Sequence, residues 1–380
     1  MRRVRALLSA RDAGAAAQVA VVARALSEDS RFATTLVASP PAFDLLRAAG
    51  GQPLHFALPD GATHVPPGGE PAPLLEAAEQ LLARIDPDVV ITGISSLGVG
   101  LDEALLARAG DRPTFAVQDF PGDANSIDGA LAERYFVRDE AAARLTRERW
   151  GVEASPVGSL RHASYAALDV PALRAAVRQR LGAPRGRSVL GFFGQPPEIP
   201  GHDAAFADLV GALAERPAKP LCVLREHPKS LGRREAHLAA LRGAGVEAFD
   251  ASDMSAVEPW LVACDLVTTC FSHCSMDYAF LSSLSPDPLG AVLFLMTTPE
   301  SRAFLSEYAG LAVPDGVEQG LGLVARDPAE VLPLMDALLT PGGRREYHEA
   351  SLLLPRGADI QVIVDAVLEA GHRHAGEAQS

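Results

Sequence analysis

The sequence predicts an α/β protein made of two Rossmann-like domains facing a cleft. Three observations carry this expectation. Short β-branched or apolar runs alternate with longer Ala-, Leu- and Arg-rich stretches, the rhythm of a parallel sheet covered by helices on both faces. That rhythm pauses after Pro156–Ser159 and resumes at Ser188. The length of 380 residues suits two domains at roughly 100–200 residues each.

In the first series, Arg5–Ser9, Phe32–Val37, Leu54–Ala57, Asp88–Thr92, Thr114–Val117 and Tyr135–Val137 read as strands. Ala15–Leu26, a stretch from Ala42, Pro73–Ile85, Asp102–Ala109 and Glu140–Trp150 read as helices. Pro59–Pro71, rich in Gly and Pro, reads as a mobile loop. In the second series, the strands are Ser188–Phe193, Leu221–Leu224, Val246–Phe249, Leu266–Thr269 and Ala291–Met296. Its helices are Pro171–Leu181, Ala204–Leu213, Arg233–Arg242, Ala256–Ala263, Ser275–Leu284 and Pro328–Leu339, with Ile360–Ala370 last. The expected domains are 1–165 and 166–355. Residues 356–380 form a helix and tail that cross back to the first domain.

Composition excludes several classes. Apolar residues at 48% and charged residues at 22% rule out general disorder. The net charge of −14 argues against nucleic acid as a partner and against whole-body attraction to anionic lipid. No run approaches the roughly 20 apolar residues of a membrane span, so an integral membrane segment is not expected. Arg11 and Asp12 interrupt what would be the apolar core of a signal peptide. Cys222, Cys264, Cys270 and Cys274 form no CxxC pair, so neither a disulfide framework nor a zinc site is expected. A reducing cytoplasm fits that usage. The tail with His372 and His374 reads as a frayed end.

In open α/β sheets, ligands sit beyond the carboxyl ends of strands, and the unusual residues fall there. The segment Thr269-Cys270-Phe271-Ser272-His273-Cys274-Ser275-Met276-Asp277 runs from a strand through a hydroxyl-rich turn into a helix. Amides at a helix start attract anions. Ser272 and Ser275 add hydroxyls, and Asp277 suits ribose hydroxyls. The plainer alternative is that Ser272 or Ser275 caps the helix and Asp277 complements its dipole. A second strand ends in Arg225-Glu226-His227-Pro228-Lys229, where Arg225, His227 and Lys229 can neutralise a phosphate and His227 can donate a proton. The alternative is a solvated loop with Arg225 paired to an acid. Gly194, after a third strand, allows a close backbone approach to a ligand or makes an ordinary turn. In the first half, Asp12, Asp119 and Asp123 follow strands and are candidate general bases or helix caps. Only Gly14 follows the first strand, so there is no GxGxxG fingerprint.

The segment Asp265 to Ala279 resembles the donor loop of bacterial GT-B transferases, most nearly that of the CDP-glycerol glycerophosphotransferases. There, Phe271-Ser272 stands for Tyr-Ser, His273 for the second Ser, and Asp277 for the Asp. His227-Pro228 is similar to the His-Pro motif of bacterial sialyltransferases and Kdo transferases. The overall pattern also looks like the UDP-N-acetylglucosamine 2-epimerases. However, Cys270 and Phe271 replace their Asp-Ser-Gly-Gly loop, and Phe193-Gly194-Gln195-Pro196-Pro197 replaces their His-Arg-Arg-Glu-Asn loop.

The resemblance implies a metal-independent transferase of polysaccharide biosynthesis. It moves a glycosyl or polyol-phosphate group from a nucleotide-activated, cytidine-based donor to a hydroxyl acceptor. The donor is a substrate, and no cofactor is implied. His227, Ser272 and the backbone at His273 would hold phosphate, with Arg225 and Ser275 supporting the leaving group and Asp277 the ribose region. Asp119 or Asp12 would deprotonate the acceptor. The rivals are a nucleotide-sugar 2-epimerase and a non-catalytic nucleotide-sugar-binding protein. Peripheral membrane contact through a lipid-linked acceptor stays open, and the oligomeric state is not legible.

Overall fold

The structure is a computed structural model and describes residues 2–183, 186–254, 256–355 and 357–377. The chain forms two compact units, Met1–Ser164 with Arg356–Ser380, and Tyr165–Pro355. Unit 1 contains β1 (Val4–Ala10), β2 (Phe32–Ala38), β3 (Leu54–His55), β4 (His64–Val65), β5 (Val89–Thr92), β6 (Val99–Gly100), β7 (Thr114–Val117), β8 (Arg134–Val137) and β9 (Glu153–Pro156). Seven of them make a parallel sheet in the order β3-β2-β1-β5-β7-β8-β9.

Strand alternation divides the core of this unit. Leu8 and Ile91 face a cluster with Val19 and Val22 of the helix Ala13–Glu28 and Ile363 and Val367 of the C-terminal helix Ile360–Glu377. Their neighbours Leu7 and Val90 face Leu74, Leu82 and Leu105 on the other side. The C-terminal helix is therefore part of the core of unit 1.

Unit 2 contains β10 (Val189–Phe193), β11 (Leu221–Arg225), β12 (Ala248–Asp250), β13 (Leu266–Thr269), β14 (Ala291–Leu295) and β15 (Leu323–Ala325). All are parallel, in the order β12-β11-β10-β13-β14-β15. Phe192, Val223, Val267 and Leu293 are fully buried, as expected of strands covered on both faces.

The two sheets share one device. Asp88, just before β5, donates its N–H to Arg5 O (2.8 Å) and accepts the Arg5 N–H on its side chain (2.8 Å). Asp265, just before β13, donates its N–H to Val189 O (2.7 Å) and accepts the Val189 N–H on its side chain (2.8 Å). Arg2 and Arg5 surround Asp88. Arg174 (2.7 Å), Arg178 (3.0 Å) and Arg344 (3.0 Å) surround Asp265.

Several elements differ from expectation. The segment Pro59–Pro71 is not merely a loop, because β4 lies in it and pairs antiparallel with β6. Strands β9 and β15 escaped sequence reading because each is a short edge strand with a single neighbour and exposed positions. The helices Pro299–Ala309 and Pro341–Ser351 were also not read. Each starts with a Thr whose hydroxyl accepts a first-turn N–H, followed by proline. In the second, Gly342 and Gly343 imitate a break.

Candidate functional site

Both sheets reverse their winding direction at one strand pair, β1/β5 in unit 1 and β10/β13 in unit 2. Such a switch opens a crevice at the carboxyl ends of the strands. In unit 2 the loops after β10, β11 and β13 meet there through hydrogen bonds. Gly194 N–H donates to Arg225 O (2.8 Å), and Ser230 Oγ donates to Gln195 O (2.7 Å). Phe271 N–H donates to Gln195 Oε1 (3.1 Å). The turn after β10 thus ties the His227 loop to the Ser272 loop.

Gly194 serves a different purpose from the one expected. A Cβ there would lie 2.9 Å from Glu226 Oε2 and 3.2 Å from the His227 nitrogen. The missing side chain lets the turn close on Glu226–His227, so the required close approach is to protein rather than to a ligand. His227 is half-buried, and its Nδ1 accepts the Lys229 N–H (3.2 Å). In the neutral ring that bond places the proton on Nε2. Arg225 is committed differently from expectation. Its Nη1 donates to Ala251 O (2.9 Å) and Met254 O (2.6 Å), and burial lowers its pKa. It braces the loop after β12.

The helix after β13 runs Cys274–Ser283, with His273 at its N-cap. Its start is less open than the sequence suggested. Ser272 N–H donates to Thr269 Oγ1 (3.2 Å), and Ser275 N–H donates to Ser272 O (3.0 Å). Cys274 N–H reaches Ser272 Oγ at 3.4 Å, a long bond that an incoming anion can replace. Ser272 and His273 are half-buried. Ser275 lies inside the helix, and its buried hydroxyl donates to Ser272 O (2.9 Å) rather than capping the helix start. Asp277 is 0% exposed, so it presents no carboxylate surface to a ribose.

The expected carboxylates of unit 1 gather at one helix end. Asp12 Oδ2 accepts the Ser96 N–H (2.6 Å) and Arg11 Nη2 (3.0 Å). Asp119 lies over the first turn of the helix Ala13–Glu28, where a Cβ on Gly14 would sit 1.8 Å from its Oδ2. Asp119 Oδ1 accepts Gln18 Nε2 in a long 3.4 Å bond. Asp123 is buried and lies away from these in the loop closed by Gln118.

Sequence reading missed the acidic pair beneath them. Asp102 accepts Ser9 Oγ (2.5 Å) and Ser95 Oγ (3.2 Å), joining the ends of β1 and β5. Glu103 accepts the Ser95 N–H (2.8 Å) and the Gly100 N–H (2.7 Å). The second bond is half of a capping box, but the N-cap is Gly100, so the usual sequence signature is absent. Burial raises both carboxyls, and Glu103 reaches about 8 with the Asp102 charge as a second cause.

Two expectations follow from these networks. Gln195→Ala removes the acceptor of the Phe271 N–H and costs about 1–3 kcal/mol. Hydrogen exchange of residues 270–275 should accelerate, and Gln195→Glu should restore protection. Unchanged exchange in Gln195→Ala would contradict the tie. The second expectation concerns pH. Glu103 shifts from an ordinary 4.5 to about 8 on folding, so the folded state holds a proton the unfolded chain has released. Stability therefore falls as pH rises from about 5 to about 8, by at most about 1.4 kcal/mol per pH unit for one such group. Asp102→Asn keeps an acceptor for Ser9 and removes a charge, so its melting temperature should fall less over that window. Parallel curves for the two proteins would contradict the effect.

No protein-family model matches the chain, and no curated protein matches it. Solved structures do. UDP-GlcNAc 2-epimerase from Neisseria meningitidis bound to UDP-GlcNAc aligns over 96% of this chain and 100% of its own, with TM-score 0.70 and 12% identity. MurG from Acinetobacter baumannii aligns over 96% and 99%, with TM-score 0.57 and 13% identity. A glycosyltransferase from Rickettsia africae aligns over 97% and 99%, with TM-score 0.61 and 9% identity. With its two parallel sheets and these neighbours, the chain has the two-domain α/β fold of the GT-B type.

Proposed function

We propose that the chain binds a nucleotide-activated, cytidine-based donor on unit 2 and transfers its glycosyl or polyol-phosphate group to a hydroxyl acceptor. The observation that supports this is the Gln195 tie, which fixes the His227 and Ser272 loops on either side of β10. The phosphate lies against His227 Nε2–H, the Ser272 hydroxyl and the amides at the start of the helix Cys274–Ser283. These donors stabilise the charge of the departing phosphate without a metal. Asp119 is the preferred base over Asp12, whose Oδ2 already accepts an amide and a guanidinium. Asp277 and Ser275 have no direct part, since both are buried.

Calorimetric titration with CMP, CDP and UDP tests the donor site. His227→Ala should weaken the nucleotide that binds by ~1–3 kcal/mol, the cost of one charge-assisted hydrogen bond. Equal affinity in wild type and variant would remove His227 from the site.

The second reading is a nucleotide-sugar 2-epimerase, favoured by the full-length alignment with the Neisseria enzyme. Against it stand the buried Cys270 and Phe271 where the epimerase loop carries small polar residues. Incubation with UDP-N-acetylglucosamine in D2O without acceptor separates the two. Inversion at C2 exchanges that proton, so deuterium at C2 identifies an epimerase. The transferase leaves C2 unlabelled and releases nucleotide only when an acceptor is added.

A further inference from the structure

A second cluster lies inside unit 2, behind the His227 loop. His202 starts the helix His202–Glu215, Glu226 follows β11, and His237 belongs to the helix Arg234–Gly243. These three are 1%, 1% and 7% exposed. His237 Nδ1 is 2.5 Å from Glu226 Oε1, and His202 Nε2 is 4.0 Å from Glu226 Oε2. One ligand atom from each residue lies within 4.8 Å of the others. Both ring nitrogens of His202 and Oε2 of Glu226 are buried without a hydrogen-bond partner.

We infer that His202, Glu226 and His237 form a three-ligand site for one divalent transition-metal ion, with Zn2+ the best fit and a water completing the tetrahedron. Two imidazoles and a carboxylate suit zinc and its neighbours, whereas Mg2+ and Ca2+ favour all-oxygen sets. Ligand atoms about 2.0–2.2 Å from zinc sit roughly 3.3 Å apart in a tetrahedron, a spacing these side chains bracket. Aromatic rings hold both imidazoles. His202 lies 5.4 Å from Phe192, and His237 stacks on Phe206 at 3.9 Å. With His237 Nδ1 on the metal, Nε2 faces Asp203 Oδ1 at 3.7 Å, a carboxylate outside the ligand shell that orients the ring. The nearby Arg233 is turned onto Asp203 (3.2 Å), which offsets its charge.

No sequence motif announces this set. The ligands are 24 and 11 positions apart, on three separate elements. The alternative occupant is a proton, with Glu226 and His237 as a buried hydrogen-bonded pair and His202 a packed ring.

The test uses the full chain, stripped with chelator and titrated with Zn2+ and Co2+ alone. The expected result is one equivalent bound per chain and visible Co2+ absorption bands of a tetrahedral site. Glu226→Gln keeps an acceptor for His237, and His202→Phe keeps the packing on Phe192. In either variant, affinity should fall at least 100-fold and the Co2+ bands should vanish, with circular dichroism unchanged. A double replacement His372→Ala/His374→Ala should keep both signals, because it removes only imidazoles of the C-terminal helix of unit 1. Absence of tetrahedral Co2+ bands in the wild type would overturn the site. So would bands that persist in Glu226→Gln, or bands lost in the C-terminal-helix variant.

Discussion

The fold depends on the reciprocal pairing of one aspartate with the first strand of each sheet. Asp88 and Asp265 each donate their backbone N–H to that strand and also accept its N–H on the carboxylate. A carboxylate buried at the start of a central strand is costly unless its lone pairs are filled. Here the strand amide and arginines fill them. The pairing fixes the register of β1 with β5 and of β10 with β13. A one-residue slip would turn Leu8 and Ile91 away from their core and misplace every loop at the opposite end.

At those opposite ends the two units use the same tactic with different residues. In unit 1, Asp102 and Glu103 reach from a helix to hydroxyls and amides of the β1 and β5 loops. In unit 2, Gln195 reaches from one loop to the next. Each replaces a water-filled gap by a directed side-chain bond, which holds a loop in a single arrangement before any ligand arrives. The acidic pair holds its geometry partly as a protonated acid. The amide of Gln195 does so without titrating.

The layout of the sheets was legible because buried parallel strands are apolar on both faces. Val89–Thr92 and Leu266–Thr269 stand out for that reason. Glu153–Pro156 does not, because Glu153 and Ser155 break its apolar run, and Leu323–Ala325 does not, because it is only three residues long. The candidate site was legible as loops, because strand ends are easy to locate, but not as side-chain roles. Asp277 illustrates the limit. Position in a helix does not reveal which faces are covered, and Ser275 to Ser283 is buried all round. His202, Glu226 and His237 were illegible for another reason: only the packing of three elements brings them together.

The electrostatics of the whole chain constrain how the proposed anionic donor would be held. A net charge of −14 gives no long-range attraction for a phosphate, and fields from exposed groups fade within about 8 Å at physiological salt. Affinity must therefore come from donors already aimed at the ligand. Gly194 matters most here. Its missing side chain lets the turn after β10 close on Glu226 and His227, so Gln195 can reach the Phe271 amide. A methyl group there would meet Glu226 Oε2 at 2.9 Å and the His227 nitrogen at 3.2 Å, so the turn would have to shift against the His227 loop. In the donor site proposed above, a phosphate would then meet the same residues, with each donor held less firmly by the fold.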